Sequence, residues 1–223
     1  LYTSLGINIY DTFDNFVNFS TSPIPKVRSD IQRYLDEGKN HIKRMNIEYH
    51  GSPFKDVFYR VEAGILEEMF AGVGGEILYR PFNKRYVLGL SAHKVRKRAF
   101  DQKFSLMDYE NITAHLSLYN EWPAGVLSAI SVGEYLAGDV GGTLDVSRRY
   151  KSGFTLGVFA TKTNLSAEEF GEGSFDKGFY FSIPTKLFFT DYTTGHIGFG
   201  LNPLTKDGGA KLWQSANLYG VFG

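Results

Sequence analysis

The stretch YVLGLSAH, residues 86–93, decides the fold class, because apolar and small or polar side chains alternate along it. Every second residue from Tyr86 to Ala92 is apolar, and most of the residues between them are small or polar. A period of two is that of a β-strand, whose successive side chains point to opposite faces of a sheet. The stretch therefore predicts a strand with one aliphatic face and one face of glycine, serine and histidine.

The same alternation returns along the chain, at residues 111–119, 154–161 and 196–202. A soluble β-sandwich binding module also alternates, but its outer strand faces favour Lys, Glu, Arg and Thr. Here the polar face repeats Gly, Ser, Asn and His. This composition favours the crowded or water-filled interior of a β-barrel with its aliphatic face turned to lipid, and the soluble sandwich stays open as an alternative.

The composition excludes several classes of function. Lys+Arg and Asp+Glu are 24 each, so the chain lacks the basic surplus of a nucleic-acid-binding domain. Cysteine is absent, which rules out disulfides and thiolate metal sites. No apolar run approaches the roughly 18 to 20 residues of a transmembrane helix, whereas barrel strands need only about 9 to 11. Aromatic residues at 16% and 25 glycines suit such a barrel.

Turn signals separate the alternating segments at hairpin-like spacing. They lie at residues 81–84, 121–125, 138–139, 151–153, 191–195 and 206–209. Aromatic residues cluster beside them, as the girdle of a membrane–water interface requires. The clustered residues are Tyr79, Phe82 and Tyr86; Tyr119 and Trp122; Tyr150 and Phe154; and Phe188, Phe189 and Tyr192. The basic cluster at residues 94–98 is predicted to lie in another hairpin turn.

Together these patterns predict an all-β fold, an antiparallel up-and-down transmembrane β-barrel of about 12 strands. The candidate strands lie near residues 3–10, 13–19, 41–50, 55–66, 73–80, 85–95, 106–120, 125–137, 140–150, 153–164, 177–190, 194–203 and 210–222. Ser29 and Gln32 form a capping-box signature, which predicts one short helix over residues 30–37 within a loop–helix insert at about 20–38. We expect a single domain over residues 1–223 that is part of a longer protein.

Several long stretches resemble the YjbH-like outer-membrane proteins of exopolysaccharide and group 4 capsule operons. They are residues 67–81, 100–104, 135–149, 166–178 and 203–210. The resemblance runs from about Val27 to Leu212. It implies a barrel in the bacterial outer membrane, often a lipoprotein, that works with periplasmic or outer-membrane proteins of one export system. It supplies no catalytic residues to carry over.

Catalytic and metal sites are not favoured by the spacing of the polar residues. His93, His115 and His196 fall on the polar side of three segments, with Ser91 and Ser117, so an outer-membrane barrel hydrolase stays open as an alternative. No HExxH motif or paired-histidine spacing occurs, and the glycine-rich stretches lack the lysine of a phosphate-binding loop. We therefore expect no enzyme activity, no cofactor and no metal.

A set of tyrosines and charged residues is predicted to line the interior and contact polysaccharide. The set is Tyr119, Tyr135, Asp139, Asp145 and Arg149. Tyrosine rings can stack on sugar faces, and carboxylate or guanidinium groups can hydrogen-bond sugar hydroxyls. The alternative is that Asp145 and Arg149 only form an ion pair that stiffens the wall. The sequence thus predicts a non-enzymatic outer-membrane component of exopolysaccharide or capsule assembly or secretion, with lipid, polysaccharide and export proteins as partners.

Overall fold

The computed structural model describes residues 2–7, 23–166, 169, 175–185, 195–201, 207–214 and 217–222. Its strands form one antiparallel sheet in which each strand is hydrogen-bonded to the next along the chain. The strands are β1 Tyr2–Ile7, β2 Asn40–Phe54, β3 Val57–Ile65, β4 Phe70–Tyr79, β5 Tyr86–Arg98, β6 Leu106–Trp122, β7 Val126–Glu134, β8 Val140–Arg149, β9 Thr155–Thr163, β10 Asp176–Pro184 and β11 His196–Leu201. The antiparallel meander is thereby confirmed.

The two faces of the sheet separate the side chains as the alternation predicts. Leu88 and Leu116 are 40% and 53% exposed, and Leu156 and Phe199 are 41% and 50% exposed. The intervening residues of the same strands, such as His93 and Ser117, point to the opposite face and are buried. Within the described part of the chain, no second sheet covers the aliphatic face.

The sheet is curled around its polar face. Ser4 on β1 and Arg44 on β2 line the same cavity as Phe159 on β9 and Tyr180 on β10. Strands far apart in the sheet order therefore face one another across a shared concavity. The described residues contain no ladder between β1 and β11, so the structure shows an open, eleven-stranded sheet.

The two rims of the sheet differ in their side chains. The upper rim carries the β2–β3, β4–β5, β6–β7 and β8–β9 turns, and the lower rim carries the β3–β4, β5–β6 and β7–β8 turns. Large aromatic rings are exposed along the upper rim: Phe54, Tyr79, Phe82, Tyr86, Trp122 and Tyr150. On the lower side, outward charges pair across β5 and β6, where Lys94 lies 3.6 Å from Glu110 and Arg96 lies 3.6 Å from Asp108.

Two segments lie against the polar face. The first, which we call the cap, comprises residues 23–38 and contains helix α1, Ile31–Glu37. Asp30 occupies its N-cap position and Gly38 its C-cap, where the Gly38 amide donates to the Tyr34 carbonyl at 3.0 Å. The second, the inner segment, comprises residues 207–214 and 217–222 and ends in helix α2, Leu218–Phe222. A single 3₁₀ turn, Pro123–Gly125, joins β6 to β7.

Two apolar clusters fix these segments to the sheet. The larger lies at the lower rim, where Val27 and Tyr34 of the cap pack with Phe70, Val95 and Leu136. The smaller lies nearer the upper rim. It joins Leu218 to Leu78 and Val87, with Phe58, Tyr119 and Tyr219 around them. The core of the molecule therefore lies between the sheet and the segments it encloses, since the outer face contributes its apolar side chains to the surface.

Three predictions about the elements need correction or fall outside the description. The strand predicted at 210–222 is wrong, because its described residues are irregular up to 214 and helical from Leu218. The basic cluster at 94–98 is not a turn but the end of β5, where alternate side chains are exposed and buried. The structure has eleven described strands instead of about 12. The strand predicted at 13–19 and the aromatics at 188–192 lie outside the described residues.

The described residues include no helix that is both long and apolar enough to cross a membrane.

Candidate functional site

Hydroxyl groups cover the concave face of β6 to β9. The Ser117 and Ser131 hydroxyls lie 2.9 Å apart across β6 and β7. The Thr143 hydroxyl lies 2.7 Å from that of Tyr135 and 2.8 Å from that of Thr161. Directly opposite residues of antiparallel strands have side chains close enough to pair in this way. These hydroxyl groups are thus satisfied by one another and form a polar, uncharged patch beside Asp145 of β8.

A buried charge network covers the concave face of β2 to β5. Glu62 is its centre: one carboxylate oxygen lies 3.0 Å from both the Arg60 guanidinium and the His93 imidazole, and the other accepts from Asn46 at 2.8 Å. Arg44 reaches the same carboxylate at 3.4 Å. A buried charge without a partner costs several kcal/mol, which explains why opposite charges are gathered here. The charged side chains of this half of the wall therefore neutralise one another.

The inner segment follows the concave face from the lower rim to the upper rim. At the lower rim the Gly209 amide donates to Asp139 at 2.8 Å. Further along, the Leu218 amide donates to Glu76 at 2.9 Å. Tyr219 then stacks on Tyr119 with ring centroids 4.0 Å apart. Residues from three separate strand regions thus hold the segment inside the sheet by its backbone and its rings.

Asp207 joins the inner segment to the cap. One of its carboxylate oxygens accepts three successive backbone amides, those of Val27, Arg28 and Ser29, at 2.7–2.9 Å. Arg28 in turn forms a two-pronged pair with Glu67 at 2.6 and 3.0 Å. Hydrogen bonds to a charged acceptor are about twice as strong as neutral ones, so this junction fixes the two segments to each other and to the β3–β4 turn.

Arg98 holds the lower rim together from inside. Its side chain is fully buried at the end of β5, and its guanidinium donates to five backbone carbonyls. These belong to Ile42, Glu67, Glu68, Gln102 and Lys103. The planar fork of donors on arginine suits such a set of converging carbonyls. The carbonyls come from three chain segments, so Arg98 positions the turns around the cap.

A cavity of about 940 Å³ remains between the inner segment and the opposite wall. Its wall includes the rings of Tyr119, Phe159, Tyr180 and Trp213. Its charged side chains are Arg28, Lys43, Arg44, Glu67, Glu68, Asp145, Asp176 and Lys211. A volume of this size, with rings and a few charged groups, is typical of a site for a ligand of several sugar units or of drug-like size.

The structure brings two of the five predicted polysaccharide-contacting residues to this cavity. Tyr119 and Asp145 line it, and Asp145 accepts a hydrogen bond from the Tyr180 hydroxyl at 2.9 Å. Arg149 ends β8 at the upper rim with its side chain exposed. In the described structure Asp145 and Arg149 form no ion pair, so the wall-stiffening pair weighed from the sequence is wrong.

Tyr135 and Asp139 lie elsewhere, in the β7–β8 turn. Both side chains are covered, at 0% and 4% exposure. Tyr135 forms an edge-on contact with His115, and Asp139 holds the Gly209 amide. Burial raises the pKa of Asp139, although the Gly209 hydrogen bond opposes that shift. These two residues therefore support the inner segment, and their contact with polysaccharide stays a prediction.

The histidines do not form a Ser–His pair in the described structure. His93 is held by Glu62, and His196 is exposed on β11. Ser91 lies opposite His115 in the β5–β6 register, but the described hydrogen bonds include none between them, and the Ser117 hydroxyl is taken by Ser131. The described residues also include no group of three or more His, Asp or Glu side chains placed to hold a metal ion.

Sequence reasoning missed the residues that the inner segment contributes. Lys211 and Trp213 line the cavity, yet their alternation with Ala210 and Leu212 imitates a strand. A usable signal was present in Asp207-Gly208-Gly209, because paired glycines after an acidic residue indicate a tight turn and close backbone approach. No local pattern predicts the pairing of Arg28 with Glu67, which joins residues 39 positions apart.

Comparison with known proteins assigns the chain to a family. The model of the YjbH family, described as exopolysaccharide biosynthesis protein YbjH, matches residues 1–222. The chain belongs to the YjbH family. A YjbH relative from Escherichia coli (strain K12), named as an uncharacterized lipoprotein, is 38% identical over 227 residues, which is 97% of this chain and 32% of the relative. This YjbH chain therefore spans about a third of the length of that relative. No solved structure matches it significantly.

Proposed function

We propose that this YjbH-family chain is the wall and interior of a β-barrel in the bacterial outer membrane, which takes part in exopolysaccharide or capsule assembly or secretion without catalysing a reaction. The family description supports the link to exopolysaccharide biosynthesis. The relative's name as a lipoprotein supports a place in the cell envelope. The curl of the sheet around a cavity supports closure into a barrel within the whole protein.

The observation that carries the proposal is the exposed aliphatic face. Leucine, isoleucine, valine and phenylalanine side chains are exposed on nearly every strand, and polar side chains fill the concavity. Soluble monomers rarely expose continuous apolar patches larger than a few hundred Å². Lipid is the environment in which such a face is favourable, because apolar side chains gain from leaving water and the hydrogen-bonded strands leave few backbone groups unsatisfied.

Charge and aromatic placement support the same orientation. The outward side chains from residues 114 to 118 of β6 carry no charge, whereas the ion pairs of β5 and β6 begin at Lys94, which lies opposite Ile112, and continue towards the lower rim. The exposed rings of the upper rim border the band at the other end. Apolar bands flanked by aromatic girdles and charges are typical of outer-membrane strands.

Cell fractionation and gel mobility test the membrane assignment. The protein, exported in a bacterial host, is expected in the outer-membrane fraction, and the unheated detergent extract is expected to migrate faster than the boiled one. A compact detergent-resistant barrel gives that mobility difference. Recovery in buffer as a monodisperse monomer without detergent would instead support the soluble β-sandwich module and overturn the proposal.

Deletion of the gene tests the role in polysaccharide export. We expect less surface polysaccharide in the deletion strain, with restoration by the wild-type gene. Restoration by the His115→Ala and Ser117→Ala variants is expected as well, because the proposed role is non-enzymatic. If either variant failed to restore the polymer while still folding into the outer membrane, the barrel hydrolase would become the better reading.

A further inference from the structure

Lys211 differs from the other basic residues that line the cavity. Arg28 pairs with Glu67, Lys43 with Glu68, and Arg44 with Glu62. The ammonium group of Lys211 makes no ion pair and no hydrogen bond within the described structure. An amine in a cavity without a fixed counter-charge favours an anion there, since it can offer three unused donors.

Lys211 has one acceptor in its neighbourhood. Asp145 interacts with it electrostatically, but the two groups are not in contact, and the Tyr180 hydroxyl occupies one oxygen of Asp145. The Tyr135 ring, which is itself buried, lies beneath the Lys211 nitrogen with its centroid 5.9 Å away, within the range of a cation–π contact. The Lys211 ammonium, a donor, and the Asp145 carboxylate, an acceptor, are therefore separated by a space that a hydroxylated ligand could bridge.

Trp213 supplies an apolar surface two residues further on. Its side chain is 63% exposed although it lines the cavity, and its backbone amide is fixed by Glu67 at 2.7 Å. An indole ring in this position has a free face inside the concavity. Flat aromatic faces pack against the apolar faces of sugar rings, and the fixed backbone reduces the ordering cost of binding.

We propose that Lys211, Trp213 and Asp145 form a binding site for an acidic sugar unit, a uronate residue of a polysaccharide. Lys211 binds the carboxylate of the sugar, Trp213 packs against its ring, and Asp145 accepts a hydrogen bond from one of its hydroxyls. The neighbouring Glu67 does not repel the ligand, because Arg28 neutralises it. This site rests on the proposed handling of polysaccharide and adds the chemical class of the polymer.

The surroundings of Lys211 agree with this role. Its side chain is exposed to the cavity, but the protein around it removes much of its contact with water. This desolvation lowers the pKa of the Lys211 ammonium to about 8, and the negative charge of Asp145 opposes the shift. Binding a carboxylate would relieve this desolvated charge, which favours an anionic ligand over a neutral one.

Fluorescence of Trp213 provides a direct test. The chain has two tryptophans, and Trp122 lies on the outer surface of β6. In the Trp122→Phe background, folded in detergent, trigalacturonate is expected to change the emission of Trp213 and to bind at least tenfold more tightly than maltotriose. Equal binding of the acidic and neutral trisaccharides would overturn the inference.

Three variants separate the site from general electrostatics. Lys211→Gln is expected to weaken trigalacturonate binding about tenfold, the value of one charge-assisted contact, and to leave maltotriose binding unchanged. Lys211→Arg is expected to retain the preference. Lys151→Gln, in the exposed β8–β9 turn, removes the same charge outside the cavity and is expected to change nothing. A loss with Lys151→Gln equal to that with Lys211→Gln would contradict the site.

The result of the trigalacturonate-binding experiments is independent of the membrane proposal. A protein that shows heat-modifiable mobility and supports surface polysaccharide, but binds no trigalacturonate, refutes the acidic-sugar site alone. A protein that binds trigalacturonate through Lys211 but extracts into buffer without detergent supports the site and refutes the membrane role.

Discussion

Lys211 has a pKa of about 8, so its charge changes within an accessible pH range. It is protonated below that pH and loses its charge as the pH rises through it. Titratable groups near it are Asp145 on β8, which accepts a hydrogen bond from Tyr180, His115 on β6 and Tyr135 in the β7–β8 turn. Because the carboxylate of a uronate binds the protonated form, trigalacturonate affinity is expected to be level between pH 6.5 and about 7 and to fall as the pH rises through 8.

Titration of the wild-type protein between pH 6.5 and 9.5 checks this prediction. The affinity for trigalacturonate is expected to fall several-fold above about pH 8. In Lys211→Arg the guanidinium stays charged throughout this range, so its affinity is expected to stay level. An equal decline in the two proteins would assign the pH dependence to another group.

Arg98 has the most demanding environment of any described arginine, because its five acceptors are all neutral carbonyls. Lysine keeps the charge but cannot reproduce the fork of donors, so Arg98→Lys leaves several buried carbonyls without partners. We expect the free energy of unfolding to fall by about 2–4 kcal/mol. Urea unfolding of the protein in lipid vesicles measures it.

Arg96→Lys is the matched control for Arg98. Arg96 lies two residues earlier on the same strand, with its side chain exposed, a 3.6 Å pair to Asp108 and one Nε hydrogen bond to the Met107 carbonyl at 2.6 Å. Exposed ion pairs contribute about 0–1 kcal/mol, so this change is expected to be nearly silent. If the free energy of unfolding fell equally in Arg98→Lys and Arg96→Lys, the carbonyl contacts of Arg98 would add no stability beyond that of an exposed arginine.

The inner segment and the cap are joined chiefly through one carboxylate. Asp207→Ala removes the acceptor for three backbone amides, and the cap is then expected to open more often. Hydrogen exchange at the Val27–Ser29 amides is expected to accelerate on the order of 100-fold, with the strands unaffected. Mass spectrometry of peptides from the cap and from β6 distinguishes local opening from global unfolding.

Asp36→Ala provides the comparison for the cap. Asp36 lies on the exposed side of α1 in the cap, and its substitution removes the same charge as Asp207→Ala without removing an acceptor of the junction. Exchange at the Val27–Ser29 amides is expected to remain at the wild-type rate. Faster exchange in both variants would indicate that net charge, instead of the Asp207 junction, keeps the cap in place.

The strands could be predicted from sequence because the alternation of apolar and polar side chains within each strand shows which residues face outward and which face inward. Leu88 faces outward and Gly89 inward without reference to any distant position, so the period of two was enough. The inner segment gave a false strand signal because Lys211 and Trp213 also alternate with apolar neighbours. There the alternation reflects a cavity on one side and the apolar cluster of the lower rim on the other.

The candidate site was only half predictable for a related reason. Tyr119 and Asp145 could be placed on the inner face, because they stand on strands of known alternation. The covered positions of Tyr135 and Asp139 depend on a segment about 70 residues away, whose Gly209 amide reaches Asp139. No local sequence pattern encodes a contact between residues 70 positions apart. Tyr135 and Asp139 were therefore predicted to line the interior.

A substitution at Leu116 tests whether the outer face of the whole molecule contacts lipid. This residue lies near the middle of β6 on the aliphatic face, between Leu90 and Val132 of the neighbouring strands. In a bilayer, Leu116→Arg is expected to cost about 2–4 kcal/mol of folding free energy, because a charge near the midplane lacks solvation. Urea titration in lipid vesicles measures the difference.

Leu106→Arg supplies the same substitution on the same face at the end of β6, where the side chain is also exposed. There the expected cost is about 0–1 kcal/mol, since the guanidinium reaches the interface. In water the two sites are both exposed and would respond alike. Equal effects at Leu106 and Leu116 would therefore argue against a lipid-facing surface.

The odd number of strands among the described residues has a topological consequence. The wall alone carries the polypeptide from one rim to the other, since β1 and β11 run in the same direction. The inner segment then travels back through the interior and ends beside Phe58 at the upper rim, where Phe222 stacks on it. After the eleven described strands, the inner segment is thus a twelfth crossing between the two rims, and it lies inside the wall. The number of crossings is then even. Tyr2, at the start of β1, and Phe222, at the end of the inner segment, therefore lie at the same rim of the sheet.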